Sequence, residues 1–472
     1  MSSSGKPLDT LPVEIEAKRL NKAVLHRNDN HRLRAIAKVV GELLPGTDAR
    51  ITTLKSPEDL KEIYPRIVIP ANARAGFARS GRNIGLWFSD YGHIEHIEIS
   101  RKYFDLTNKE IDLLRAFAKV LDGLYTDSST RMGQNVSRVS AKYSLGNILV
   151  AHILTGKASD GFWSISMALD LLQELALKRY EGKNCSSGFL LVAQPEQQLQ
   201  KFKQAGLEID QFQPGTFLSE DFFDGVISHR FVDGRNSFYI VDNLQAVRGV
   251  ARIKKPGDFS IYDRSSTTHL DTVLDIPNGR LTAAYIGRNS DVVVKSKAKP
   301  VLRWNKLYWR AVDVSLIEAA IVSHGGMPPL EAAALSKAIL TCSDLRFGTL
   351  CLVAKSFNRV PPVFGKIDQS NLSSEVVRIS AGKTISELLA RGTALGILSS
   401  DGLTTWSTEG TLLSSGDILD LSSSSKGRYQ AQGGGRTQAA LAASEYGLSV
   451  KVSEDGPISF FDGGKVILEL MG

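Results

Sequence analysis

Cysteine and long apolar runs are both scarce in this sequence. It has three cysteines, Cys185, Cys342 and Cys351, and none of them belongs to a CxxC pair. This spacing offers no cysteine framework for a metal and favours a reducing, cytoplasmic location. No run of about 18 apolar residues occurs, and the opening residues MSSSGKPLDT lack the apolar segment of a signal peptide. We therefore expect neither membrane insertion nor secretion.

The excess of basic residues is mild and unevenly placed. The chain of 472 residues has a formal net charge of +7, which arises before residue 325, and the remainder is close to electrically balanced. Such a charge permits anionic partners without requiring nucleic acid. The length predicts two to four domains, and a content of 42% hydrophobic and 23% charged residues is typical of globular protein.

Three regions with different patterns follow one another, so we predict an α/β multidomain protein. Residues 1–185 mix helix and strand patterns and are expected to bind a signal or a protein partner. Helices are predicted at TNKEIDLLRAFAKVLDGLY, with a Thr107–Glu110 capping box, and from Trp163. Strands are predicted at RIVIP (66–70) and IGLWF (84–88).

Residues 186–312 form a β-rich middle domain in this interpretation. Apolar runs are separated by DG, RNSD and NK turn signals, as in LTAAYIGRNSDVVVKS and PVLRWNKLYWRAV.

Residues 313–472 combine helices and strands into a predicted mixed sheet flanked by helices. Two helical patterns, SLIEAAIVSH and PLEAAALSKAILTCS, precede the strand FGTLCLVAK and a helix near TISELLARG. ALGILSS and DGLTTW are predicted as two strands joined by a tight turn. The strands GLSVKVSE, PISFF and KVILEL complete the region.

The stretch GGGRTQAALAASE (433–445) has two interpretations: an anion site, or a flexible entry to an ordinary helix, which is the commoner meaning of an isolated glycine-rich turn. Gly433, Gly434 and Gly435 precede a helix that begins near Arg436, and the unpaired N–H groups and dipole of a helix start suit phosphate. Asp401 and Glu454 each stand at a predicted strand end. If those strands are neighbours, two carboxylates meet the glycine-rich helix start and can hold Mg²⁺ or Mn²⁺ against nucleotide phosphates, with Arg436 as the cation.

The order FGTLCLVA, SSDGL, GGRTQAALAASE and VKVSEDGPISFF resembles the diadenylate cyclase (DAC) domain family over roughly residues 313–470. The resemblance implies a homo-oligomer in which two domains face each other, each binding one ATP, and each 3′-hydroxyl attacks the α-phosphate of the other. Asp401 would hold the metal and help to activate the hydroxyl, and Glu454 would be the second metal ligand. The nucleotide would be bound by Gly402, Leu403, Gly434, Gly435, Arg436 and Thr437.

The sequence also departs from the family's pattern. Arg436, Thr437 and Gln438 stand where the family has RHR, Gly435 replaces a threonine and Leu403 an alanine, and no histidine follows His324. Loss of one positioned donor can lower a rate by about 10²-fold or more. Two alternatives to a cyclase therefore stay open: a nucleotide receptor or assembly module, and a domain that only mediates dimer contacts.

Two other segments contain weaker signals. HIEHIEI (93–99) places His93 and Glu95 on one strand face as metal ligands, although we favour a solvated edge strand. KSKAKPVLRWNKLYWR (295–310) combines basic residues with Trp304, Tyr308 and Trp309 and could stack on single-stranded nucleic acid. A solvent-facing strand with Lys295, Lys297 and Lys299 is the favoured interpretation. Cys185 is interpreted as a structural or surface thiol rather than a nucleophile.

Overall fold

The structure is a computed structural model, and it describes residues 30–90, 93–126, 145–155, 161–192, 195–204, 207–253, 274, 281–287, 289–296, 299–355, 372–419 and 434–470. Over these residues the chain is a mixed α/β protein with several sheets, and the two largest sheets have eight and six strands. The expected α/β multidomain class is confirmed at this level. None of the helices described is long and apolar enough to cross a membrane.

The first sheet has four antiparallel strands in the order β1-β4-β3-β2. They are β1 (Thr47–Leu54), β2 (Ala75–Ser80), β3 (Asn83–Asp90) and β4 (His93–Arg101). The helices of this part of the chain are α1 (Asn30–Leu43), α2 (Pro57–Ile63), α3 (Asn108–Thr126), α4 (Leu145–Thr155) and α5 (Gly161–Leu177). The predicted capping box of α3 is confirmed, because Glu110 N donates to Thr107 Oγ1 and Thr107 N donates to Glu110 Oε2, over 3.2 and 2.9 Å.

The second sheet has eight strands in the order β14-β13-β12-β11-β7-β9-β10-β8, and only β7 and β9 are parallel neighbours. The strands are β7 (Gly188–Val192), β8 (Leu207–Gln211), β9 (Ser237–Asp242), β10 (Val247–Ile253), β11 (Leu281–Ile286), β12 (Val292–Ser296), β13 (Val301–Trp304) and β14 (Trp309–Val312). Before them, β5 (Arg179–Tyr180) and β6 (Lys183–Asn184) form a small separate sheet, and the helices α6 (Pro195–Gln204) and α7 (Val226–Arg230) lie between strands.

Helices cover both faces of this second sheet. The sequences of β7, β9 and β11 are therefore continuous apolar runs. α6 packs on one face with the side chain of Phe202, and α5 packs on the other with Leu172. The cluster that contains Leu172 also continues into the first sheet, so one buried core includes residues from Leu33 to Ala311.

The third sheet has six strands in the order β17-β16-β15-β18-β19-β20, with β15 and β16 parallel. The strands are β15 (Thr349–Ala354), β16 (Leu403–Ser407), β17 (Leu412–Asp417), β18 (Gly447–Val452), β19 (Ile458–Asp462) and β20 (Lys465–Leu470). The helices are α8 (Val314–Ala320), which continues into a π-helical turn (Ile321–Gly325), α9 (Pro329–Leu345), α10 (Leu372–Ser380), α11 (Ile385–Ala390), α12 (Ala394–Leu398) and α13 (Gly435–Ala443).

Helices flank this sheet on both sides, as the sequence predicts. α8, α9, α11 and α12 share a buried cluster with Cys351, Val353 and Trp406 on one face. α13 covers the other face, where Ala440 and Leu441 belong to the cluster of Leu350 and Leu352. The N-terminus of α13 therefore lies over the sheet.

Two predicted strands are wrong. ALGILSS begins with the helix α12, whose apolar residues pack into the core beneath α9; a short apolar run does not by itself distinguish a strand from a buried helical turn. RIVIP has no regular structure: Ile67 and Ile69 pack against a small cluster, whereas Val68 is 82% exposed. Prolines at 65 and 70 flank this segment and disfavour ladder hydrogen bonds.

Candidate functional site

The candidate site lies at one end of the six-stranded sheet, where three neighbouring strands meet. β15 pairs in parallel with β16 and antiparallel with β18, so the starts of β15 and β16 and the end of β18 lie side by side. Asp401 stands two residues before β16, and Glu454 stands two residues after β18. Both carboxylates are therefore at the same sheet end, one strand to either side of β15, and their strands are about 10 Å apart.

Gly348 lies between the two carboxylates, immediately before β15, and leaves room for Arg436. A Cβ atom at Gly348 would stand 2.2 Å from Arg436 Nη1 and 3.0 Å from Glu454 Cγ. Arg436 Nη1 donates to Glu454 Oε1 over 3.4 Å. The two side chains are 36% and 75% exposed, so this ion pair is weak and can part when another anion approaches the guanidinium.

No side chain in the described part of the chain caps the N-terminus of α13. Gly434 is the N-cap residue and provides no side-chain hydrogen bond to the first turn. The backbone N–H groups of Thr437 and Gln438 bond to the carbonyl oxygen of Gly434, over 2.9 and 3.3 Å. Among the residues that the structure describes, Cβ atoms placed at Gly434 and Gly435 would meet nothing within 4 Å, so these residues leave the backbone there open to a ligand. Gly433 lies outside the described residues.

Lys451 is a further cation of this site, and sequence reasoning missed it. Its Nζ donates to Thr437 Oγ1 in the first turn of α13 over 2.8 Å. Lys451 pairs with Leu350 across the sheet, on the face that α13 covers. A lysine in the strand GLSVKVSE is typical of a solvent-facing position, and its place beneath the glycine-rich helix start follows from the position of α13 over the sheet. Gly348 was missed as well, although it lies within the segment FGTLCLVA.

Gly402 fixes the turn that carries Asp401. Its φ is +103°, and a Cβ atom there would stand 2.7 Å from the carbonyl oxygen of Asp417. Leu403, the next residue, is 1% exposed and belongs to the core beneath α13. Leu403 pairs with Asp417 across the sheet, and burial raises the pKa of the Asp417 carboxyl above its ordinary value, against the opposing effect of a hydrogen bond from Ser414.

The turn that carries Glu454 is held from outside the sheet. Ser343 Oγ, near the end of α9, donates to Gly456 O over 2.6 Å. The guanidinium of Arg346 lies against Gly456, where a Cβ atom would stand within 2 Å of its Nη1. From the second sheet, Asn289 Nδ2 donates to the backbone carbonyl of Asp455 over 3.4 Å.

A buried group of charges connects this turn to the second sheet. Arg346 Nη2 donates to Asp291 Oδ2 over 2.8 Å, and Asp291 also lies 3.6 Å from Arg303 Nη1. Arg303 also pairs with Asp344 on α9. The position of Glu454 therefore depends on contacts that begin in the middle region of the chain.

The carboxylates of Asp401 and Glu454 suit a cation that also binds oxygen atoms of a ligand, rather than a cation bound by protein side chains alone. Among the described residues, no group of three or more His, Cys, Asp or Glu side chains could hold a metal ion. Mg²⁺ is commonly bound by one or two carboxylates, and phosphate and water oxygens complete its octahedron. Asp401 and Glu454 offer two carboxylates at the same sheet end.

The structure also bears on the three weaker candidates from the sequence, namely HIEHIEI, the segment 295–310 and Cys185. β4 lies between β1 and β3, so HIEHIEI is an internal strand and not the expected edge strand. Trp304 and Trp309 are 3% and 6% exposed and pack in the core, which removes the two largest stacking surfaces from the proposed nucleic-acid segment. Cys185 is buried, and burial raises the pKa of its thiol, so it is a poor nucleophile.

No protein-family model and no curated protein matches the chain. The function of the site has to be inferred from its own geometry and chemistry.

Proposed function

We propose that residues 313–470 form a DAC-like domain that binds ATP with Mg²⁺ or Mn²⁺ and joins two ATP molecules into a cyclic dinucleotide. One observation carries the proposal: Asp401, Glu454 and the start of α13 lie at one end of the six-stranded sheet, where Arg436 pairs with Glu454 beside Gly348. The part of the chain before residue 313 would control this activity through a signal or a protein partner.

The roles of the residues follow from their chemistry. Asp401 and Glu454 provide carboxylate oxygens to the cation, which offsets the charge of the triphosphate when it is bound. The first N–H groups of α13 and the guanidinium of Arg436 bind phosphate oxygens. Lys451 adds a second positive charge beneath that turn.

The reaction requires two protomers. Asp401 is exposed, so a second domain can approach it face to face. Each 3′-hydroxyl attacks the α-phosphorus of the ATP in the facing domain, the hydroxyl proton is lost and pyrophosphate leaves. Asp401 would help to activate the hydroxyl, as the resemblance implies.

The test is product formation by the purified full chain with ATP and Mn²⁺, followed by mass spectrometry. We expect a cyclic dinucleotide, and we expect Asp401→Asn and Glu454→Gln to reduce it by about 10²-fold or more. Glu409→Gln is the matched control, because Glu409 is an exposed carboxylate in the hairpin at the other end of β16. Undiminished product in Asp401→Asn would reject the site.

A nucleotide receptor is the second candidate, and the ion pair between Arg436 and Glu454 favours it. This pair occupies one carboxylate that the cyclase needs for metal, and Thr437 and Gln438 replace two donors of the family's pattern. Calorimetry would distinguish the two functions. A receptor binds ATP or a cyclic dinucleotide without turnover, and Lys451→Ala weakens that binding, whereas robust turnover excludes a receptor.

A further inference from the structure

A cavity lies away from the candidate nucleotide site, between the first sheet and α8. It has a volume of about 900 Å³ and is walled by the β2–β3 turn, the end of β4, the segment that follows β4, and α8 with its π-helical turn. Pockets for small ligands have volumes of about 300–1,000 Å³. None of its lining residues takes part in the nucleotide site.

Basic side chains outnumber acidic ones in the wall of this cavity. The charged lining residues are Arg79, Arg82, Arg101 and Lys102, against Glu98 and Asp105. Asp105 lies 3.2 Å from Arg82, and Glu110, behind the wall, lies 2.6 Å from Arg101. Arg79 and Lys102 form no ion pair within the described part of the chain; Arg79 Nε donates to Gly81 O over 3.3 Å, and Lys102 Nζ lies 5.0 Å from the centre of the Tyr103 ring. With Glu98 and Glu110 counted, the four basic side chains exceed the three carboxylates by one charge.

The side chain of Arg101 also has an unused donor. It is 2% exposed, and two of its guanidinium nitrogens donate to Glu110 and to the carbonyl oxygen of Pro45. Its Nε–H is buried and has no hydrogen-bond partner among the residues that the structure describes. This nitrogen lies on the side of Gly46, where a Cβ atom at Gly46 would stand 3.8 Å from it, and we assign it no role in the cavity.

Apolar side chains complete the wall. The ring of Tyr103 is 37% exposed and Ala319 of α8 is exposed, whereas Ile84, Ile99 and Leu316 are each 4% exposed or less and lie beneath that surface. A ligand that combines an anionic group with an apolar body matches both parts of this wall.

We propose that this cavity binds a small organic anion, with its carboxylate, sulfonate or phosphate group at Arg79 and Lys102. The apolar body of the ligand packs against the ring of Tyr103 and against Ala319 of α8. The occupant therefore contacts both the N-terminal and the C-terminal parts of the chain.

A pair of fluorescent probes tests the proposal. Anilinonaphthalene sulfonate has an aromatic body and one anionic group, and phenylnaphthylamine has the same body without the anion. We expect the sulfonate to bind the full chain at one site per chain, about tenfold or more tighter than the neutral probe. The double variant Arg79→Gln, Lys102→Gln should reduce sulfonate affinity to the level of the neutral probe, whose binding should not change.

Three control proteins make the test specific. Lys61→Gln, Arg66→Gln removes two exposed basic residues that do not line the cavity, and it should retain sulfonate affinity. Asp401→Asn should also retain it, because the nucleotide site is separate. Ala319→Trp fills the cavity from α8 and should abolish binding of both probes. The proposal is wrong if neither probe binds, if both bind wild type equally, or if sulfonate affinity survives in the Arg79, Lys102 or Ala319 variants.

Discussion

The backbone of Gly402 constrains the turn that presents Asp401. Residues with a side chain rarely adopt a φ of +103°, and an added Cβ atom would stand 2.7 Å from Asp417 O. We expect Gly402→Ala to lower the free energy of unfolding by about 1–3 kcal/mol, measured by urea denaturation.

Gly435→Ala is the matched control for that experiment. Gly435 is the first residue of α13, and a Cβ atom there would have no neighbour within 4 Å in the portion of the protein that the structure describes. Alanine should raise the free energy of unfolding by about 0.4–1 kcal/mol because it restricts the unfolded chain. The two glycine substitutions should therefore differ in sign, and equal effects would contradict the geometry of the Asp401 turn.

Asp417 should make stability depend on pH. Burial raises the pKa of this carboxyl in the folded chain, so between its unfolded and folded pKa values the folded state keeps a proton that the unfolded state has lost. The free energy of unfolding of the wild type therefore falls as pH rises through that window. Asp417→Asn removes this ionisation, so the variant should gain stability relative to wild type as pH rises and keep the gain at neutral pH.

Urea denaturation across a pH series measures this difference. Glu409→Gln, at an exposed position, controls for the loss of one negative charge from the same domain. A stability difference between Asp417→Asn and wild type that does not change with pH would show that the Asp417 carboxyl is not perturbed by burial.

At the scale of helices and strands, long periodic patterns predicted the structure well and short apolar runs did not. α3, α5 and α9 follow their helical periodicity, and β15 and β18 follow their apolar runs. α12 is five residues long, and its apolar residues reach the core equally well from a helix or a strand. Only tertiary packing under α9 decides between the two.

The same limit applies to the candidate site. Motif order predicted that Asp401, Arg436 and Glu454 belong together, because the ends of neighbouring strands meet at one edge. The roles of Gly348 and Lys451 depend on strand register and on the position of α13 over the sheet. Local sequence does not contain that information.

We expect the turn that carries Glu454 to be less stable when the side chain of Arg346 is removed. Arg346→Ala deletes the guanidinium that packs on Gly456 and takes one cation from Asp291. We expect a loss of about 1–3 kcal/mol in the free energy of unfolding. Hydrogen exchange at Ser453 and Gly456, whose amides are bonded within the turn, should also become faster.

Arg391→Ala is the control for that prediction, because Arg391 is an exposed arginine at the end of α11. Its substitution should leave exchange in the Glu454 turn unchanged. If Arg346→Ala also leaves exchange there unchanged, the second sheet and α9 do not position Glu454.

At the scale of the whole molecule, the N-terminal and C-terminal parts of the chain share packing around α8. Thr107 Oγ1 donates to Asp313, whose carboxylate also caps α8 by accepting from Ser315 N over 3.2 Å. Phe104 lies in the buried cluster of the six-stranded sheet, and its ring contacts that of His324 edge to face, with centroids 5.3 Å apart. A side chain from the N-terminal segment therefore completes the C-terminal core.

Phe104→Ala should consequently loosen structure far from it in the sequence. We expect a loss of about 3–5 kcal/mol in the free energy of unfolding, with faster hydrogen exchange in α8 and the π-helical turn. Tyr103→Ala is the neighbouring control: its ring is 37% exposed, so the change should stay within about 0.5 kcal/mol and exchange in α8 should be unaltered. If hydrogen exchange in α8 becomes slower or stays the same in Phe104→Ala, Phe104 does not support the C-terminal core. The proposed control of the site at Asp401 by the part of the chain before residue 313 would then need another route.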